Sequence, residues 1–257
     1  TSVGALLDAG LADVVHVTTP HDQHVAPTLQ ALAAGVHVLQ EKPIAAHLAD
    51  AQRLVDAAPT ASAKVGICFQ NRYNVSSQRL RRLLDSGELG AVRGAYSAVV
   101  WTRSADYYRA KPWRGSAERS GGGLLINQAI HTLDLLQWFL GDVDEVVGHV
   151  STDKFADVID VEDTARLLFT SQNGTLGSID LSWSMHKETP AYVRIHGTRG
   201  TIEIGWQQSR CKATGTGEWQ VFGNGYDKVA AFAAQLANFA AVLRDREAPV
   251  IDDADGN

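Results

Sequence analysis

Three stretches of this sequence carry side chains of the types and spacings that do chemistry. Glu41-Lys42-Pro43 directly follows the apolar run at residues 36–39. In an open parallel sheet, ligands bind beyond the carboxyl ends of the strands, so a lysine here stands where chemistry is expected. Pro43 biases Lys42 toward extended backbone and restricts where its ammonium can point. Such a lysine serves as a general base if burial lowers its pKa, or as a fixed charge on a substrate oxygen. The plainer alternative is a solvated turn with a Glu-Lys pair. In the second stretch, Asn127, His131 and Asp134 follow Gly121-Gly122-Gly123 at spacings of four and three, along one helical stripe. The glycines allow another backbone or a ligand to come close to the helix start. A histidine on an apolar helix is most often a satisfied core residue, but polar neighbours on both sides weigh against that here. The third stretch, Thr19-Pro20-His21-Asp22-Gln23-His24, closes an earlier strand, with Pro20 ending it and Asp22 placed to cap the next helix. His21, His24 and His37 match no strong ligand spacing, so no metal is expected. Arg72 and Trp113-Arg114 offer forked hydrogen bonds and a stacking surface for a phosphate or polyhydroxylated ligand, or are ordinary surface residues.

The elements that must position these residues follow from periodicity. Residues 13–18, 36–39 and 63–68 are short β-branched or apolar runs, and the segments at 22–33 and 48–58 between them have helical spacing. Strand, helix, strand, helix, strand with short joints means right-handed βαβ units and a parallel sheet. After Arg72 the pattern changes. A helix at 75–86 precedes strands expected at 92–101, 146–152, 164–169, 176–183, 192–196 and 201–204. A Gly-entered helix runs from 123 to Leu140 and stops at Gly141. Asn173-Gly174 and Gly197-Thr198-Arg199-Gly200 signal hairpins, and a last helix spans 228–246. The fold class is therefore α/β: a partial doubly wound parallel sheet in residues 1–71, then an α+β domain with a large, mostly antiparallel sheet in residues 72–257. Large residues on both faces of the strands at 96–101 and 179–183 predict that one face is covered by a second subunit.

Composition narrows the function. The chain has 257 residues, enough for a large core, and a net charge of −6, which argues against a nucleic-acid or anionic-membrane surface. Two cysteines exclude a disulfide scaffold, and no apolar run reaches the ~20 residues that span a bilayer. A cytoplasmic location is the expectation. The sequence contains no G-x-S-x-G, G-x-x-x-x-G-K-[ST], H-E-x-x-H or G-x-G-x-x-G motif.

In order and spacing, these pieces resemble the glucose-fructose oxidoreductase / inositol dehydrogenase / MocA family of NAD(P)-dependent enzymes. The resemblance rests on Thr19-Pro20 with His24, Glu41-Lys42-Pro43, Gln70-Asn71-Arg72-Tyr73, Trp113-Arg114-Gly115, the helix from Gly121 through Asn127 and His131 to Asp134, and the hairpin from His196 to Glu203. It implies a Rossmann domain followed by an oligomer-forming α/β domain, a dimer or tetramer. It also implies hydride transfer between NAD or NADP and a hydroxyl-bearing carbon of a sugar, cyclitol or sugar-derived substrate. Lys42 and His131 would handle the hydroxyl proton. Asn127 stands where many members carry aspartate, and an asparagine relays no proton. Thr19, Pro20, His24, Glu41, Lys42, Gln70, Arg72, Trp113 and Arg114 are the implied cofactor contacts. An NAD-dependent glycosidase and a non-catalytic sugar-binding protein are the alternatives. The strand at 13–18 matches the family's fourth, so the expectation is a fragment of a longer protein that by itself holds a dinucleotide weakly. The C-terminal residues 252–257 read as a loop or cap awaiting a further element.

Overall fold

The structure, a computed structural model, describes residues 2–185, 191–215, 217–223, 225–245 and 248–250. Arg246 and the 252–257 tail thus lie outside the described residues. After a short exposed helix, α1 (Val3–Asp8), the chain forms β1 (Val14–Val17), α2 (Val25–Ala33), β2 (His37–Glu41), α3 (Leu48–Ala57) and β3 (Val65–Cys68). The three strands are parallel neighbours in the order β1-β2-β3, with His16 beside Leu39 and Gln40 beside Ile67. Alternation divides the two faces. Val17 and Val38 point into a small core with Val25, Ala31, Leu32 and Leu54 from the helices, whereas His16 and Glu41 lie on the other face. Gly35, at φ 73°, ends α2 in the left-handed conformation that favours glycine.

The second part contains α4 (Val75–Asp85), β4 (Val92–Val100), α5 (Ala105–Arg109), α6 (Ala117–Ser120), α7 (Ile130–Leu140), β5 (Val143–Ser151), β6 (Thr164–Ser171), β7 (Leu176–Ser182), β8 (Ala191–Gly197), β9 (Gly200–Gly205), β10 (Ser209–Ala213), β11 (Gln220–Phe222) and α8 (Lys228–Val242). Eight of its strands form one sheet in the order β11-β10-β9-β8-β4-β7-β6-β5, antiparallel except for β4 beside β7. Both expected hairpins form, β6–β7 across Asn173-Gly174 and β8–β9 across Thr198-Arg199. Leu135, Leu136 and Phe139 of α7 pack on Leu181, Ile195 and Ile202 of the sheet, each such fully buried side chain contributing about 2 kcal/mol. Among the described residues no helix is long and apolar enough to cross a membrane.

Several local expectations are corrected. The helix at 22–33 begins later, after a 3₁₀ turn at His21–Gln23, and Asp22 caps nothing: its carboxylate meets Arg119 at 3.1 Å. The helix at 123–140 opens with a π turn, Leu125–Ala129, before regular α7. Helices α5 and α6 and strands β10 and β11 had no sequence signal long enough to read. Of the large residues on the strands at 96–101 and 179–183, Val99, Val100, Ile179, Leu181 and Trp183 are buried within the chain. Exposed apolar residues on the open face include Val147, Leu168 and Leu176. Finally, α8 returns to the first sheet: Phe239 packs against Gly66, and Lys64 donates to the carbonyl of Val242.

Candidate active site

Lys42 lies just beyond the carboxyl end of β2, and its loop is braced from three sides. Gln40, fully buried, accepts from Thr28 at 2.7 Å and donates to the carbonyl of Ile44 at 2.8 Å. His24, also fully buried, sets Nδ1 2.7 Å from the carbonyl of Pro43 and Nε2 2.8 Å from that of Thr19. It thereby ties the loop after β1 to the loop after β2. Burial pushes its pKa down, against the pull of those two carbonyls and of Glu41. The peptide between Lys42 and Pro43 is cis.

From the opposite side, the glycine-rich entry brings in the helix. A Cβ on Gly121 would stand 2.0 Å from the Ala46 carbonyl oxygen, and one on Gly123 would stand 1.9 Å from that of Glu162. Only glycine permits both approaches. The first turn has unsatisfied amides, as every helix start does. Glu162 takes two of them, accepting from the N–H groups of Gly123 and Leu125 at 2.8 Å each. In the π turn that follows, the main-chain carbonyl of Asn127 accepts a hydrogen bond from Lys42 Nζ. His131 is buried one turn later, edge-on to Phe69, and its Nδ1 has no partner among the described residues.

The electrostatics follow from this packing. Lys42 is nearly buried and has no carboxylate at ion-pair distance among the described residues. Burial lowers its pKa to about 8; Glu41 opposes the shift and Arg114 assists it. Burial, then the charges of Lys42 and Lys228, hold His131 down at about 3, so its ring is neutral across the physiological range. His21, whose Nδ1 faces the Ser120 carbonyl at 2.8 Å, is lowered to about 4, chiefly by burial.

The structure thus brings Lys42, the Asn127 main chain and His131 together, and adds Trp113, edge-on to His21 at 4.8 Å, and Arg114. Thr19, Pro20, Glu41 and Gln70 end the three parallel strands around them. It sets Arg72 apart. That guanidinium is 1% exposed and grips Asp134 through Nε at 3.0 Å and Nη2 at 2.8 Å. Arg72, read as a candidate ligand contact, is therefore tied to Asp134 of the helical stripe. The strand ends also gather His16, Glu41 and Cys68, whose ligating atoms lie within 4.8 Å of one another. Of the three histidines weighed for metal, His21 and His24 face carbonyls and His37 accepts from the Lys64 N–H. Sequence reasoning missed Gln40 and Glu162: Glu162 accepts from amides 37 and 39 positions away and Gln40 meets Thr28 of a packed helix, and neither contact leaves a local pattern.

Residues 1–69 match the model of the oxidoreductase family with an NAD-binding Rossmann fold, and residues 77–203 match the GFO/IDH/MocA C-terminal domain. The chain belongs to the GFO/IDH/MocA family. Among family relatives, a D-apiose dehydrogenase of Rhizobium rhizogenes is 29% identical over 82% of this chain and 60% of its own length. A 1,5-anhydro-D-fructose reductase of Ensifer adhaerens is 28% identical over 84% and 63%. The WlbA dehydrogenase of Bordetella pertussis, solved with NADH and UDP-GlcNAcA, superposes with a TM-score of 0.83 at 29% identity over 99% of this chain and 75% of that one. The chain spans about six-tenths of the length of the curated relatives it matches.

Proposed function

We propose that the whole protein transfers a hydride between NAD or NADP and a hydroxyl-bearing carbon of a sugar, cyclitol or sugar-derived substrate. The observation that carries this reading is Lys42: a mostly buried cation with no carboxylate at ion-pair distance among the described residues, its pKa brought to about 8, beside a neutral histidine at the carboxyl ends of parallel strands. Sugar dehydrogenases among the relatives and NADH in the WlbA structure support the same class.

The donor set at the strand ends fits a nicotinamide. Gln70 Oε1 is buried there without a partner among the described residues and suits an amide donor. Thr19, Pro20, Glu41, Trp113 and Arg114 complete the residues that would hold the cofactor, with His24 acting through the loops it ties together. When bound, the cofactor supplies the hydride acceptor or donor. Lys42 handles the proton. In the oxidising direction its neutral amine takes the proton of the substrate hydroxyl; in the reducing direction the ammonium returns it. The unpaired Nδ1 of His131 orients the same hydroxyl through a hydrogen bond. Asn127 carries no proton, and its carbonyl sets where Nζ points.

The whole protein, mixed with NAD or NADP and a panel of aldoses, sugar acids and cyclitols, is expected to accumulate reduced cofactor with at least one of them. Turnover without net reduced cofactor would assign the site to glycosidase chemistry, and cofactor binding with no turnover of any kind would assign it to a binding protein. Val147, Leu168 and Leu176 on the open sheet face, beside the Arg194–Glu203–Arg210 ion pairs, suit a second copy of the chain. Light scattering at micromolar concentration is expected to give a dimer or tetramer, and a monomer would refute that assembly.

A further inference from the structure

Past the end of β4 the chain keeps its hold on β7: the N–H of Trp101 donates to the carbonyl of Ser182, and that of Arg103 to Trp183. Lys154 fixes the same segment from outside, donating to Thr102 Oγ1 at 2.9 Å and to the Arg103 carbonyl at 3.2 Å. The Arg103 backbone is therefore rigid, and its guanidinium is walled by aromatic rings. Its Cζ lies 4.7 Å from the ring centre of Tyr107, 5.4 Å from Trp101 and 5.7 Å from Trp183.

Among the described residues, the buried donors around this guanidinium have no acceptor. Arg103 Nε is buried with no partner among the described residues, and so are the indole N–H groups of Trp101 and Trp183. Buried N–H groups are nearly always hydrogen-bonded, so the Arg103 Nε–H and the two indole N–H groups, left without an acceptor among the described residues, suit one brought by a ligand. The nearby carboxylates do not answer. Asp163 accepts from the N–H groups of Asp153, Lys154 and Phe155, Glu162 from those of Gly123 and Leu125, and Asp106 pairs with Arg109. The Tyr107 ring also meets a second arginine that acts on Lys42. Arg114 lies 4.4 Å from the same Tyr107 ring, and its charge depresses the pKa of Lys42.

We propose that Arg103 anchors an oxyanion substituent, carboxylate or phosphate, of the sugar substrate, with Trp101 and Trp183 as walls and hydrogen-bond donors of that subsite. A planar fork of N–H groups matches either oxyanion, and aromatic walls strengthen the attraction by excluding water. The inference rests on reading the site as that of a sugar oxidoreductase and narrows its substrates to anionic sugars.

The test uses the whole protein with three probes: D-glucuronate, D-glucose 6-phosphate and neutral D-glucose. Their affinities are read by quenching of tryptophan fluorescence, and NADH affinity is read separately by energy transfer. At least one anionic probe is expected to bind about tenfold or more tighter than glucose, and which one does so identifies the oxyanion. R103M is expected to abolish that preference and R103K to keep part of it, both with NADH affinity within about twofold of the parent. Equal affinity for all three probes would overturn the proposal, as would an unchanged preference in R103M. A loss of NADH binding parallel to the loss of probe binding would make Arg103 a cofactor contact instead. If R103M fails to fold, R103K decides: an undiminished preference refutes the forked contact. A parent protein that prefers the anionic probe but binds neither NADH nor NADPH would refute the oxidoreductase reading while leaving the subsite standing.

Discussion

Lys42, mostly buried, and Arg72, fully buried, are cations beyond the ends of neighbouring parallel strands, and both reach toward the same glycine-entered helix. Arg72 meets the carboxylate of Asp134, and the resulting pair, with each side chain at most 4% exposed, joins the turn after β3 to α7. Among the described residues, the Lys42 ammonium hydrogen-bonds to the main-chain carbonyl of Asn127 and to no carboxylate. A carbonyl dipole offsets part of the cost of desolvating an ammonium, whereas a carboxylate offsets far more. The lysine's proton is consequently held loosely and the arginine's not at all loosely. The difference separates a group poised to give and take a proton from one that fixes geometry, though both look alike as basic residues after a strand.

The sharpest way to break this comparison is Lys42→Met. It should lower kcat by about 10³-fold through loss of the proton-handling group, yet leave the thermal melt unchanged or raised, since a costly buried charge is gone. Near-normal turnover would refute the role of Lys42. The arginine should behave the opposite way. Asp134→Leu strands a buried guanidinium and should cost about 3–5 kcal/mol in urea unfolding, whereas the double variant with Arg72→Met should recover most of that loss.

The pH dependence sharpens the contrast. With Lys42 near 8, the oxidising rate should rise through about pH 8 and the reducing rate should fall through it; a profile flat between 7 and 9 in both directions would contradict the assignment. The lysine's folded pKa lies below its unfolded value, so the unfolded chain binds more protons between them. Stability should therefore increase as pH rises from about 8 toward 10.5. The same sign applies to His21 and His131, lowered to about 4 and about 3. Stability should fall as pH drops from 6.5 into that range, with a shallower fall in His131→Gln. The smallest effect belongs to Asn127→Ala. Lys42 grips the main chain there and not the amide, so only a several-fold change in KM is expected. A loss in kcat comparable to that of Lys42→Met would show that the side chain takes part in proton handling.

Much of the site was legible along the chain. Glu41-Lys42-Pro43 and the glycine-entered helix carry their message locally, because Pro, Gly and a fixed residue spacing constrain backbone conformation whatever surrounds them. The three parallel strands and both hairpins were legible for the same reason. The π turn at Leu125–Ala129 was not, since nothing in that apolar stretch distinguishes a 4.4-residue turn from a 3.6-residue one. Nor was the bracing by His24 and Glu162, whose partners include residues 19 to 39 positions away, or that by Gln40, which depends on how α2 packs on β2.

The sequence by itself determined the order of elements, the class of each sheet and which side chains were candidates for chemistry, all of them consequences of local backbone preference and hydrophobic period. Only the tertiary structure decided which candidates come together and what each one faces. The shift of Lys42 to about 8, the neutral ring of His131 and the pairing of Arg72 with Asp134 are set by burial and by charges brought from dozens of residues away. Desolvation and Coulomb interaction depend on distance in space, and residue order along the chain does not specify that distance.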